Sequence, residues 1–250
     1  MLAVELVPKD IENLKNEALA CLKNFSSVEQ INIPDIMRLP HRSYDVASAL
    51  LALGIDAIPH LRTVDHTFDQ LGSITQNLMS QGLKNILLVS GDPPKDNPSF
   101  VSSEVTPIMA VEFLKKNFPS LKVFGALDSY RSNIQDELTY CHAKLDAGFD
   151  GLFSQPFFSL PLLEFWLKAL KGSHFYAGFS PITSEKSKKY WTSFNKVPLD
   201  NQFEWTLESS AEFTTQGLDL VNSYNQSAYL MPITVSAQEY LEKITPKKSI

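Results

Sequence analysis

Glu5 sits where a charge is hard to keep. It lies inside Ala3-Val4-Glu5-Leu6-Val7, with apolar neighbours on both sides. A carboxylate there loses hydration, so it needs a partner or a task. The same loss favours the neutral acid and raises the pKa, which suits the group to general-acid work near neutrality. Further polar residues close short apolar runs along the chain: Asp35, His60, Asp92, Asp128, Gln155 and Ser180, with Met231 ending the last run. If those ends share one face, carboxylates at four of them make an acidic rim. Taken singly, Asp35, Asp92 and Asp128 read equally well as helix N-caps or solvated loop charges.

Other chemistries lack their residues. No Gly-x-Gly-x-x-Gly follows a strand, no Walker loop exists, and Ser90-Gly91-Asp92 carries a single glycine. There is no Gly-x-Ser-x-Gly nucleophile elbow. The five histidines are scattered without a His-x-x-x-His or Cys-x-x-Cys pair, so no metal centre is expected. Any nucleotide must therefore be held by loops rather than by a Rossmann fingerprint. The 22 Lys+Arg against 28 Asp+Glu leave a net charge of −6, which argues against a nucleic-acid or anionic-membrane surface. Cys21 and Cys141 both fall in helical stretches and read as reduced, buried thiols. The N-terminus has no basic leader, and no run approaches the ~18 apolar residues of a membrane span. The chain reads as a soluble cytoplasmic protein.

The elements that must position these residues follow a regular cadence. Apolar runs at 3–6, 30–33, 56–61, 85–89, 122–127, 151–155, 174–179 and 227–231 read as strands. Helical periodicity fills the intervals: 10–24 with Asp10 as N-cap, 43–53 stopped by Gly54, 67–81 ended by Gly82, 106–118, and 133–147. A helix then runs from Pro161 to Lys171, others cover 211–223 and 237–244, and the stretch beyond Ser184 is less regular. A Pro-, Asn- and Ser-rich loop follows Asp92, and a Lys-rich tail ends the chain. The strands do not alternate, so both of their faces are buried, as in a parallel sheet. Eight such repeats over 1–250 predict a single-domain α/β protein, a (β/α)8 TIM barrel. Chemistry in such barrels gathers at the C-terminal ends of the strands, which places Glu5, Asp92 and Gln155 at one mouth.

Five segments carry a more specific signal. They are Val4-Glu5-Leu6-Val7-Pro8; Ile58-Pro59-His60-Leu61; Gly82 to Leu87 leading into Ser90-Gly91-Asp92-Pro93-Pro94; Lys144-Leu145-Asp146-Ala147-Gly148 followed by Ser154-Gln155-Pro156-Phe157-Phe158; and Gly178-Phe179-Ser180-Pro181-Ile182. In this order and spacing they resemble the methylenetetrahydrofolate reductase family, flavin-dependent (β/α)8 barrels. The departures are local. Ser90 stands where many members carry Arg before Gly-Asp, Ser154 replaces Thr, and Leu127-Asp128-Ser129-Tyr130-Arg131 replaces a Tyr-Pro-Glu-x-His element.

The resemblance implies reduction of 5,10-methylenetetrahydrofolate to 5-methyltetrahydrofolate, in one-carbon metabolism and methionine biosynthesis. FAD, or FMN, would carry hydride from NAD(P)H. Glu5 would be the general acid, and Asp92 and Gln155 would hold the pterin. His60, Ser90, Gly91, Glu137, Tyr140 and Lys144 would contact the cofactor. Because the departures remove contacts, flavin should be held more weakly than is usual for the family. The partners are then folate and a nicotinamide nucleotide, with a homo-oligomer left open. Two alternatives stay open here: a flavin- or folate-binding paralogue moving one-carbon groups without nicotinamide, and a catalytically reduced assembly subunit.

Overall fold

A computed structural model describes residues 1–93, 99–199 and 204–244. The middle of the Pro- and Asn-rich loop, including Pro94, and the Lys-rich tail lie outside the described residues. Eight strands are present: β1 Leu2–Glu5, β2 Val28–Ile33, β3 Ala57–Arg62, β4 Asn85–Val89, β5 Lys122–Leu127, β6 Gly151–Pro156, β7 His174–Phe179 and β8 Ser227–Leu230. All pair in parallel with their sequence neighbours, and β8 returns to β1, so the sheet closes into an eight-stranded barrel. Nine helices are described: α1 Ile11–Asn24, α2 Ser43–Leu51, α3 Phe68–Ser80, α4 Pro107–Asn117, α5 Ile134–Asp146, α6 Leu160–Ala169, α7 Glu185–Lys189, α8 Leu207–Ser223 and α9 Ala237–Ile244.

Residue types explain the two-sided burial. In β4, Ile86 and Leu88 join the layer packed against the helices, whereas Leu87 belongs to the barrel interior. The interior is strongly aromatic. Phe153 stacks on Tyr176 with centroids 3.9 Å apart, and Phe124 meets both rings edge-on. Asp10 caps α1 by accepting from the Asn13 N–H at 2.8 Å, and Thr67 with Gln70 forms a capping box on α3.

Two stretches differ from the sequence expectation. α8 begins at Leu207 rather than 211, because Thr206 and Ser209 cap each other reciprocally. Beyond Ser184, α7 continues into a single π-turn over Tyr190–Phe194. That turn buries Trp191 in a satellite core with Phe158, Ile182, Val197 and Leu199, against which Tyr130 packs.

Candidate active site

The floor of the C-terminal mouth is built from β1, β2, β3 and β8. Glu5 ends β1 and is half-buried. Its Oε2 accepts the Tyr229 phenol proton from β8. Burial lifts the Glu5 carboxyl to about 7, and the Tyr229 hydrogen bond pulls the other way. His60 is 7% exposed, and burial lowers its imidazole to about 3, so the ring is neutral. Asn32 faces it, with Nδ2 to His60 Nε2 at 3.3 Å, and the His60 and Tyr229 rings meet edge-on. The floor thus holds one group that exchanges a proton near pH 7, and that group is Glu5.

The Tyr229 phenol should tune this proton. Tyr229→Phe removes a donor to the carboxylate, so the Glu5 pKa should rise by roughly one unit. The alkaline limb of the pH–rate profile should then move upward, as steady-state rates across pH would show. An unmoved limb would mean that the phenol does not act on the reacting carboxyl.

The rim is set by an ion-pair lattice that the sequence did not reveal. Arg42 binds Asp35 through Nε and Nη2 at 2.9 and 2.7 Å, and Asp65 at 2.6 Å. Arg62, at the end of β3, donates to Asp65 at 2.8 Å and to the Asp92 carbonyl at 2.5 Å. Gly91, at φ +79°, packs so tightly that an added Cβ would lie 3.0 Å from Arg62. The Val64 N–H donates to the Ser90 carbonyl at 3.1 Å. Ser90 and Asp92 are exposed on this anchored turn, and Gln155 is exposed near the end of β6.

The expected acidic rim is accordingly narrower than four carboxylates. Asp35 has a fully buried side chain paired to Arg42, and Asp128 turns back to accept the Tyr130 N–H at 2.9 Å. Donor atoms of Asp35, Asp65 and His66 lie within 4.8 Å of one another. Arg42 and Arg62 already neutralise both of those carboxylates, which leaves the group poorly suited to a cation.

Glu137, Tyr140 and Lys144 come together on α5, where Glu137 and Lys144 are buried and Tyr140 is half-buried. Glu137 is 1% exposed; its Oε1 accepts the Asp128 N–H at 3.1 Å and its Oε2 pairs with Arg131. Lys144 is 3% exposed and donates to the Ala126 carbonyl of β5. Burial pulls its ammonium down to about 8. The Tyr140 ring carries the Lys144 ammonium 4.0 Å from its centroid and the Arg131 guanidinium 4.9 Å away. A flavin needs free N–H donors for its ribityl and phosphate oxygens. Lys144 is buried on the Ala126 carbonyl and the Glu137 carboxylate is buried against Arg131, so these two do not fit the group as it was expected to bind.

The parts played by Tyr229, Arg42, Arg62, Asp65 and Arg131 escaped the sequence reading. The alternation of β8 held a signal, because Tyr229 lies two residues before Met231 and both line the interior.

Comparison with known proteins bears on the family and the fold. The family model described as methylenetetrahydrofolate reductase matches residues 21–216. Methylenetetrahydrofolate reductase 2 of Saccharomyces cerevisiae is 23% identical over 186 residues, covering 68% of this chain and 31% of the yeast protein. The 5,10-methylenetetrahydrofolate reductase of Buchnera aphidicola subsp. Schizaphis graminum is 23% identical over 235 residues, 82% of this chain and 78% of that protein. The Escherichia coli enzyme of the same name is 24% identical over 155 residues, 58% of this chain and 51% of its own. The chain thus spans about a third of the yeast relative's length and half of the Escherichia coli one's. Among solved structures, oxaloacetate acetylhydrolase superposes with a TM-score of 0.60 at 11% identity, over 96% of this chain and 77% of that one. The likeness there is one of fold. The family match covers most of the barrel, and this chain belongs to the methylenetetrahydrofolate reductase family.

Proposed function

We propose that this chain reduces the methylene group of 5,10-methylenetetrahydrofolate to methyl, with a dihydronicotinamide nucleotide as the reductant. The supporting observation is Glu5, a carboxyl lifted to about 7 at the floor of the mouth. The substrate's five-membered ring must open before hydride can add, and opening requires a proton on the leaving nitrogen. Glu5 is the group that supplies it. At the rim, the Asp92 carboxylate accepts from the amino-pyrimidine N–H groups, and the Gln155 amide donates and accepts at the pterin edge. Tyr229 holds the carboxylate in place once the proton has left.

FAD or FMN belongs to the reading that the resemblance implies, with His60, Ser90, Gly91, Glu137, Tyr140 and Lys144 as its contacts. Glu137 and Lys144 are buried on the chain's own groups, so no step is drawn through a flavin. The described helices include none long and apolar enough to cross a membrane.

The test is anaerobic oxidation of NADH and NADPH with methylenetetrahydrofolate, with and without added flavin. Oxidation that depends on the folate and yields 5-methyltetrahydrofolate is the expected result. Asp92→Asn and Gln155→Ala should each raise the folate KM ~10- to 100-fold, the usual worth of a hydrogen bond to a charged or buried partner. A folate KM indifferent to both changes would remove the pterin from this rim.

A further inference from the structure

The loop after β5 lies over the α5 residues to which the resemblance assigns the flavin contacts. Arg131 lays its guanidinium over Tyr140 and pairs with Glu137, which is itself 1% exposed. Lys144 is held beneath, on the Ala126 carbonyl. Two cations, Arg131 and Lys144, face two carboxylates, Asp128 and Glu137, so the cluster offers no net positive charge to a phosphate. Swinging Arg131 outward would strand a buried carboxylate.

Nor is the loop free to lift. Tyr130, the preceding residue, donates its phenol proton to the Pro156 carbonyl at 3.0 Å and packs against the satellite core. The Glu137 carboxylate holds the loop's other end through the Asp128 N–H. On the neighbouring turn after β4, Ser90 offers a hydroxyl in place of a cation, and Arg62 at the end of β3 is committed to Asp65 and the Asp92 carbonyl. Arg42 is committed to Asp35 and Asp65. Three guanidinium groups around the mouth are thus bonded to the protein's own carboxylates.

Resting on the reductase reading, we infer that Arg131 is a built-in occupant of those flavin contacts on α5 and that hydride passes directly from the dihydronicotinamide to the folate. The C4–H bond of the dihydronicotinamide breaks, and its electron pair forms the new C–H bond at the methylene carbon of the ring-opened iminium. The iminium π pair returns to its nitrogen. The nicotinamide is oxidised by two electrons and the methylene is reduced to methyl by the same two. The leaving nitrogen keeps the Glu5 proton, and Glu5 regains one from solvent. Both substrates must then occupy the mouth together.

The experiment uses the full chain, expressed with riboflavin supplied. Absorbance as isolated and titration with FAD and FMN read flavin retention independently of turnover. Initial rates over a grid of both substrates, and deuterium placed on the transferring C4 position, read the route. Direct transfer predicts a colourless protein, no saturable flavin binding and activity unchanged by added flavin. It also predicts intersecting double-reciprocal lines and full deuterium retention in the product methyl group. Activity that requires FAD or FMN, parallel lines, and deuterium lost to solvent would overturn the inference and leave the reductase reading standing. Absence of folate-dependent oxidation under every condition would overturn the reductase reading, and this inference with it.

Discussion

Glu5→Gln is expected to lower folate turnover ~10²- to 10⁴-fold, the usual worth of a positioned acid, with little change in folate binding. The amide is nearly isosteric and can still accept from Tyr229, so the floor keeps its shape. It has no acidic proton to give the leaving nitrogen. Wild-type turnover should fall as pH rises through about 7, because the protonated carboxyl is the working form. The residual rate of the variant should be flat across that window.

The variant's stability should rise where its turnover falls. The folded-state pKa of Glu5 is raised from 4.5 to about 7, so folding favours its protonated form. Its stabilising contribution is fully present below pH 4.5 and is lost as pH rises through about 7. Above that window the wild type holds a poorly solvated carboxylate that Gln does not present. Glu5→Gln should therefore be more stable than wild type at alkaline pH by about 2 kcal/mol, the shift having been discounted for solvent in the open mouth. Urea unfolding on either side of neutrality would show it. A variant both slower and less stable at every pH would make Glu5 a packing residue instead.

Gly178→Ala carries the second large effect. An added Cβ in β7 would lie 2.6 Å from the Ser154 carbonyl oxygen, 2.9 Å from that of Gln155 and 2.7 Å from the Met231 methyl. Two of the three neighbours are backbone, so strand β6 has to move. The Gly178 N–H also donates to the Ser154 hydroxyl at 2.8 Å, which ties the same two strands together. Overpacking of this kind costs about 3 kcal/mol, or roughly 6–12 °C in melting temperature for a chain of this size. The displacement would carry Gln155 with it, so the folate KM should rise even in protein that remains folded. Thermal unfolding together with folate titration separates the two effects. A melting temperature near that of wild type would show that β6 accommodates the methyl freely.

The barrel was legible because its signals are local. Asn85–Val89 is five residues with no charge between two turns, and Asp10 caps α1 at its expected place. Glu5 stood out for the same reason, as a charge among apolar neighbours. What stayed hidden depends on partners distant in the chain. Tyr229 meets Glu5 across a separation of 224 residues, through the closure of β8 onto β1. Asp35 looked like a free rim carboxylate until Arg42 and the β3 loop were seen to enclose it. On α5, Glu137, Cys141 and Lys144 form a buried face at helical spacing. Periodicity assigns charges at such positions to solvent, and here Arg131 and the Ala126 carbonyl receive them instead. The start of α8 was missed because its N3 residue is Ser209, not the Glu or Gln that usually marks a capping box.

The proposed reaction turns on a proton held by Glu5 near neutral pH. Difference infrared spectroscopy of the protonated-carboxyl stretch, titrated in wild type and in Glu5→Gln, reads that proton directly. A carboxyl band that titrates with a midpoint near 7 in the wild type, and is missing from the variant, is the predicted result. A Glu5 band that vanishes in the ordinary carboxylate range, around pH 4–5, would contradict it, since the carboxyl would then be ionised wherever the folate ring must open.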